Sequence, residues 1–465
     1  MKKSKISILL LFLVMILAIS AVSAADTDDT SDSDVLSVEE TTVDEVVSAD
    51  AVDEVQTASE DTEVLTDDGD ASNFTALQYR IDSSNTICYI MNDYKKAEGD
   101  DVVTISKDIS IIARGGTFTI DANNNGGIFK INHGVSVYLS GVTLVNGNSD
   151  YGAAIYNEGD LVLDGCTFSN NVATQNGGAI YNTATLDVND CILSDNIATY
   201  RGGAIYNEGT LTVTGSTIDS NDITFRAKND DNGGAAIYNN GGTINLDDVE
   251  VTNNLKDIVI RDGNDGHLIN AAIFTNGDAT IANSYIANNT GSWGAGVYVT
   301  NGATLTVSNT VFEGNNATFG AGIYDEGAVL NVDNCTFNDN LAIGVGSAGT
   351  SSTQAGAILV MAQGASATIT NSRFNRNSAK TGGAVSISQA TGSVLIDDCE
   401  FTENTASYEG GAIYNYIANG ASLTVTDSTF TDNTATNWGN AISNDGDLSL
   451  SGNTISGDGA EIGNW

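Results

Sequence analysis

The stretch GGAIYNEGTLTVTGSTIDSN, Gly202 to Asn221, decides the architecture. Its apolar residues Leu211 and Val213 sit at i and i+2 with Thr212 between them, so they share one face of an extended strand. Ile218 follows seven residues after Leu211, and that step recurs along the chain. It runs from Leu161 to Phe168, Leu186 to Leu193, Ile244 to Val251, Ala279 to Ile286, Leu305 to Phe312 and Leu330 to Phe337. It continues with Ala367 to Phe374, Val394 to Phe401, Leu423 to Phe430 and Leu448 to Ile455, after a looser first copy from Val137 to Leu144. A third apolar site lies in a Gly/Ala-rich strand between copies, as at Ile155, Ile180, Ile205, Ile237, Ile273, Ile323, Ile358 and Ile413. Three short strands in a repeat of about 25 residues are the signature of a solenoid.

Each repeat is expected to trace a three-sided coil with Ile, Leu/Val and Phe inward, successive coils pairing as parallel strands about 4.8 Å apart. One coil alone cannot bury enough apolar surface to offset the ordering of its backbone, so stability has to come from stacking. The expected fold is all-β, a single-stranded parallel β-helix of about twelve turns, right-handed by the general rule for parallel crossovers. The corners agree. The third residue after the Phe site is asparagine in ten consecutive copies, from Asn171, Asn196 and Asn221 to Asn404 and Asn433. Asparagine tolerates the left-handed backbone of a sharp corner, and stacked amides can bond along the axis. The 50 glycines and the lack of proline fit, since proline would delete a ladder donor.

Residues 1–24 read as a secretory signal, with an uncleaved anchor as the alternative: Lys2, Lys3 and Lys5, an apolar run from Ile8 to Ile19, and small residues up to Ala24. Removing those lysines takes the formal charge from −43 to −46 and leaves no stretch able to span a membrane. Such a charge excludes a general nucleic-acid role and binding to anionic lipid. Residues 25–71 read as an acidic disordered spacer, because 26–70 hold eighteen Asp and Glu and no Lys or Arg. Residues 72–125 are expected to form a cap, with a short helix over Phe74 to Ile81 and irregular lead-in strands over Val102 to Ile120. Residues 126–465 hold the repeats.

The strings GGAIYN at 177–182, 202–207 and 410–415 alternate with F-x-x-N, as in Phe168 to Asn171, Phe337 to Asn340, Phe401 to Asn404 and Phe430 to Asn433. These resemble the paired GGAI and FxxN repeats of chlamydial polymorphic outer membrane proteins. The whole plan of signal, acidic leader, F-x-x-L-Q cap (Phe74 to Gln78) and repeats resembles the adhesin-like surface proteins of methanogenic archaea. The resemblance implies a right-handed parallel β-helix at the cell surface that binds glycans or partner-cell molecules. No cofactor is expected.

Tyrosine follows the inward Ile at Tyr156, Tyr181, Tyr206 and Tyr238, and again at Tyr298, Tyr324 and Tyr414, with Phe274 in register. By alternation these rings face outward, as a sugar-stacking strip or as a ladder that merely stiffens the solenoid. Most copies step eleven or twelve residues from the Phe site to the next Ile, but three step 19, 22 and 21. Insertions on one edge of a solenoid commonly form its binding face. Two of them carry Arg226, Lys228, Lys256 and Arg261, a basic island expected to dock an anionic glycan or acidic partner.

No catalytic or metal site is expected. Glycoside hydrolysis needs two carboxylates about 5 to 9.5 Å apart, whereas Asp164, Asp247, Asp333 and Asp397 fall two or three coils from one another. Asp398 and Asp427 lie in neighbouring coils but share their slot with Asn309, Asn334 and Asn371, which marks a corner. Cys166, Cys191, Cys335 and Cys399 occupy one inward position filled elsewhere by Ser or Thr, and only Cys166 and Cys191 are near enough for a disulfide, which nothing requires. The competing readings are a polysaccharide lyase or hydrolase, which use the same architecture, and a structural surface coat.

Overall fold

A computed structural model describes residues 72–224, 233–255, 271–300, 302–343, 353–390, 392–416, 422–457 and 462–464. The expected signal and acidic spacer lie outside these residues. The chain forms a right-handed parallel β-solenoid of about thirteen turns with almost no helix, its three long sheets each holding fourteen strands. One sheet carries the Leu/Val sites, one the Phe sites and one the Ile sites, and every pairing is parallel and in register. Leu161, Leu186 and Leu211 stack on one another, as do Ile155, Ile180 and Ile205.

The Phe column is the most regular. Phe312, Phe337, Phe374, Phe401 and Phe430 are all buried. Their rings stack with centroids 4.7, 5.0, 4.7 and 4.8 Å apart, within the range where aromatic pairs add to area burial.

The extra turns come from the segment expected to hold irregular strands. Ile87–Ile90 and Ile109–Ala113 extend the Leu/Val sheet, and Val103–Ile105 starts the Ile sheet. Ahead of them, helix α1 (Phe74–Ser83) covers the first coil. Its start is set by Asn73, whose side chain accepts from the Ala76 amide at 2.9 Å, and by Asp100, which accepts from the Phe74 amide at 3.1 Å. Phe74, Leu77 and Ile81 lie on one helical face and join the solenoid core. Leu77→Ala should cost about 2–5 kcal/mol by opening a cavity under the cap, read as a lowered denaturant midpoint of the whole chain.

The asparagine column is a continuous hydrogen-bonded ladder in the interior. From Asn171 to Asn433 each side-chain amide donates to the next side-chain oxygen at 2.9 to 3.1 Å, and all ten residues are buried. One expectation is corrected here. The left-handed backbone belongs to the residue before the ladder asparagine: Asn170, Asp195, Ser220, Asn253, Asn288, Asp339, Arg376, Glu403 and Asp432 all have φ between 50° and 58°. That turn swings the following asparagine inward. After the ladder comes a short fourth strand that the three-strand reading lacks, such as Val172–Asn176 and Ile197–Ala198, forming side sheets of four and five strands.

Candidate functional site

The outer face of the Ile sheet is where the sequence places its aromatic residues. In Ile180–Asn182 the strand alternation turns Ile180 and Asn182 inward and Tyr181 outward. Asn182 belongs to a second buried ladder that sequence reasoning missed: Asn157 donates to Asn182, Asn182 to Asn207 and Asn207 to Asn239, each at 2.7 Å. The third letter of the recurring IYN string was its signal.

Opposite that ladder the rings stack along the axis. Centroid separations are 5.2 Å for Tyr156 and Tyr181, 4.8 Å for Tyr181 and Tyr206, 5.4 Å for Tyr206 and Tyr238, and 4.3 Å for Tyr238 and Phe274. Phe274, Tyr298 and Tyr324 continue the file at 5.2 Å. The four candidate tyrosines are thus one contiguous stack, and the expectation that all are open to solvent is corrected. Tyr156 and Tyr181 are half-buried, but Tyr206 is only 3 % and Tyr238 only 2 % exposed. A second layer lies over part of the file, built from the residue that precedes the corner glycine, which reaches the ring of the following coil. Tyr151 packs edge-on against Tyr181 at 5.2 Å, Arg201 lies 5.1 Å over Tyr238, and Trp293 lies 5.2 Å from Tyr324.

The polar edge of the file is held by Glu208, which accepts from the Tyr181 hydroxyl at 3.3 Å and from the Tyr206 hydroxyl at 3.1 Å. Burial first, and then the Glu208 charge, push the Tyr206 phenol up to about 12, and the same two causes raise that of Tyr181. These phenols therefore stay neutral donors across the physiological range. At the open end, the Lys130 ammonium lies 5.6 Å over the Tyr156 ring and pairs with Glu158 at 3.4 Å.

Arg226, Lys228, Lys256 and Arg261 lie outside the described residues. The carboxylates at the ends of the Leu/Val strands serve as corner acceptors. Asp333 takes hydrogen bonds from Thr370 at 2.7 Å and Asn371 at 2.6 Å, and Asp247 takes one from Asn283 at 2.6 Å. Asp398 and Asp427 are left-handed corner residues, with φ of 51° and 48°. All five cysteines are unpaired and buried. Among the described residues no group of three or more His, Cys, Asp or Glu is arranged to hold a metal ion, and no helix is long and apolar enough to cross a membrane.

Four stretches, residues 165–183, 190–208, 398–416 and 427–445, match the Chlamydia polymorphic membrane protein repeat. No curated protein matches the chain significantly. Similar solved structures include the catalytic unit of a thermostable GH87 alpha-1,3-glucanase from Streptomyces thermodiastaticus, with 13 % identity and a TM-score of 0.38. That likeness covers 84 % of this chain and 66 % of the glucanase unit, just under two thirds of its length. The A-module of a mannuronan C-5 epimerase from Azotobacter vinelandii is 14 % identical with a TM-score of 0.31, over 84 % of this chain and 91 % of that one. A PL6 alginate lyase in complex with a trisaccharide is 14 % identical with a TM-score of 0.30, over 82 % and 81 %.

Proposed function

We propose that this chain is a secreted, adhesin-like cell-surface protein that binds glycans or surface molecules of another cell along the flank of its solenoid. The matched repeats are named for a membrane protein, which supports a place at the surface. The observation that carries the reading is the aromatic file on the Ile sheet, whose N-terminal end keeps Tyr156 and Tyr181 half-buried while the rings beyond are covered. Stacking between Tyr156 and Tyr206 holds the Tyr181 ring in place, so these half-buried rings offer their edges and hydroxyls to a ligand at fixed positions and little side-chain entropy is lost on binding. The basic island Arg226, Lys228, Lys256 and Arg261 is the second element of this reading, a place for an anionic group on an acidic chain.

Binding is favoured over turnover because the strand-end carboxylates are engaged as corner acceptors. Incubation with pectin, alginate and host-type glycans should release no unsaturated or reducing ends. A glycan array probed with the folded chain should give hits that a Tyr156→Ala, Tyr181→Ala double variant loses about tenfold or more. A melting temperature kept within a few degrees shows that the fold survives. Retention of every hit in that variant, at unchanged stability, rejects this end of the file as the contact.

A further inference from the structure

The aromatic file breaks after Tyr324. Leu359, Ser386, Tyr414 and Ser443 follow in register, so the Tyr414 ring has serines in the coils on either side where Tyr181 has rings. Among the described residues five large aromatic side chains are exposed, and three of them gather around this break: Tyr408 at 42 %, Tyr416 at 39 % and Trp438 at 49 %. The rings of Tyr414 and Tyr416, two apart on the same strand face, are parallel to within 7° with centroids 6.4 Å apart. Trp438 pairs in register with Glu409, whose chain neighbour is Tyr408. Exposed apolar surface gathered at one place on a soluble face marks a contact site.

Glu409 supplies a second, independent observation. It is 2 % exposed, yet its Oε1 has no hydrogen-bond partner. A buried acceptor without a donor costs stability, and a charged one costs more. Such a defect persists where a ligand completes it. Burial raises the Tyr414 phenol to about 12, helped by the charges of Glu409 and Asp445, so that hydroxyl stays a donor beside them.

We propose that Tyr408, Tyr414, Tyr416 and Trp438, with Oε1 of Glu409, form a subsite for a neutral hexopyranose chain. The apolar faces of the sugars stack on the rings, and a sugar hydroxyl donates to Glu409 Oε1. One cation, Lys380, lies 5.5 Å over the Tyr408 ring, but Glu409 and Asp445 outnumber it on a chain of net charge −43 and disfavour uronates and sulfated sugars. The subsite rests on the glycan-binding reading but uses other residues than the N-terminal file.

Calorimetric titration of the full chain with neutral cello-, manno- and galacto-oligosaccharides, and separately with oligogalacturonates, tests it. At least one neutral series should bind, the oligogalacturonates should not, and Trp438→Ala and Tyr416→Ala should each weaken binding tenfold or more. Both side chains are exposed, so the melting temperature should hold within a few degrees and exclude unfolding as the cause. Neutral binding unchanged in both variants, tighter binding of uronates, or no neutral binding by the parent chain overturns the subsite. Loss of binding in the Tyr156, Tyr181 variant but not in Trp438→Ala overturns it while leaving the glycan reading intact.

Discussion

Asp325→Asn should make the protein more stable at neutral and alkaline pH and change little near pH 4. Asp325 is fully buried inside the solenoid, stacked between Val299 and Val360 at the register that holds Asn157, Asn182 and Asn207 in earlier coils. Its Oδ1 accepts from the Ala328 amide at 2.7 Å, while Oδ2 has no partner. Burial pushes this carboxyl up to about 8; the Glu326 charge adds to the rise and the Ala328 hydrogen bond opposes it. The unfolded chain releases the same proton near pH 3.9. Between the two values the folded state therefore holds a proton that the unfolded state has lost. Stability declines as pH climbs through that window and levels off above about 8. At 1.36 kcal/mol per unit the full penalty is on the order of 5 kcal/mol. Asparagine has nearly the same shape, never ionises, and is the residue that fills this register in earlier coils, where Asn157 donates to the Gly159 carbonyl at 2.9 Å. Denaturant midpoints of both proteins at pH 4.5 and pH 9 check this: the gap should open toward pH 9. Parallel pH profiles would mean that Asp325 reaches water or a counter-charge.

The interior was largely legible because it obeys one rule. Period-2 alternation places Leu211 and Val213 on one face whatever surrounds them, and the stacked Leu, Ile and Phe columns follow from it. Corner detail was harder to read. Asn253 and Asn254 are both asparagines, and residue type alone does not say which takes the left-handed backbone and which turns inward. The fourth strand escaped because Ile197–Ala198 is two residues long, too short to alternate. Its signal was the small residue two places after the ladder asparagine, as at Ala173, Ala198, Ala317 and Ala406, all buried.

At the candidate site, alternation gave the direction of each ring and nothing about what lies over it. Tyr238 faces outward and is still covered, because Arg201 reaches it from the preceding coil. That contact spans 37 positions, across one of the longer connections, where no local pattern can register it. Glu409 escaped for the same reason. An isolated acidic residue in a chain with 60 of them reads as a solvated charge until its burial is seen.

Asn340→Ala should be among the most damaging single substitutions in the molecule, although asparagine is polar and the replacement is small. The Asn340 side-chain oxygen accepts from both the backbone amide and the side-chain amide of Asn315, at 3.1 and 3.0 Å. Its own amide donates to the Phe312 carbonyl at 2.9 Å and to Asn377 at 3.0 Å. Alanine removes all four bonds in a fully buried column; the Asn315 side-chain amide keeps the Ile286 carbonyl and Asn377 Oδ1 keeps the Asn340 amide, but the Asn315 backbone amide and the Phe312 carbonyl each lose a partner. An orphaned buried donor or acceptor costs about 1–3 kcal/mol, so the two together cost on the order of 4 kcal/mol. Asn340→Asp separates the two halves of the role: it keeps the acceptor for Asn315, loses the donor to Phe312, and adds a buried charge, so it should be at least as harmful at neutral pH and recover on acidification. Because each coil is stabilised by contact with its neighbours, the defect should loosen the coils on both sides before the distant ends. Hydrogen exchange should show protection falling first at the Phe312 and Asn377 coils and last near Leu161. Uniform loss of protection along the whole solenoid would instead mean that the stack unfolds as one unit and that the ladder does not set local stability.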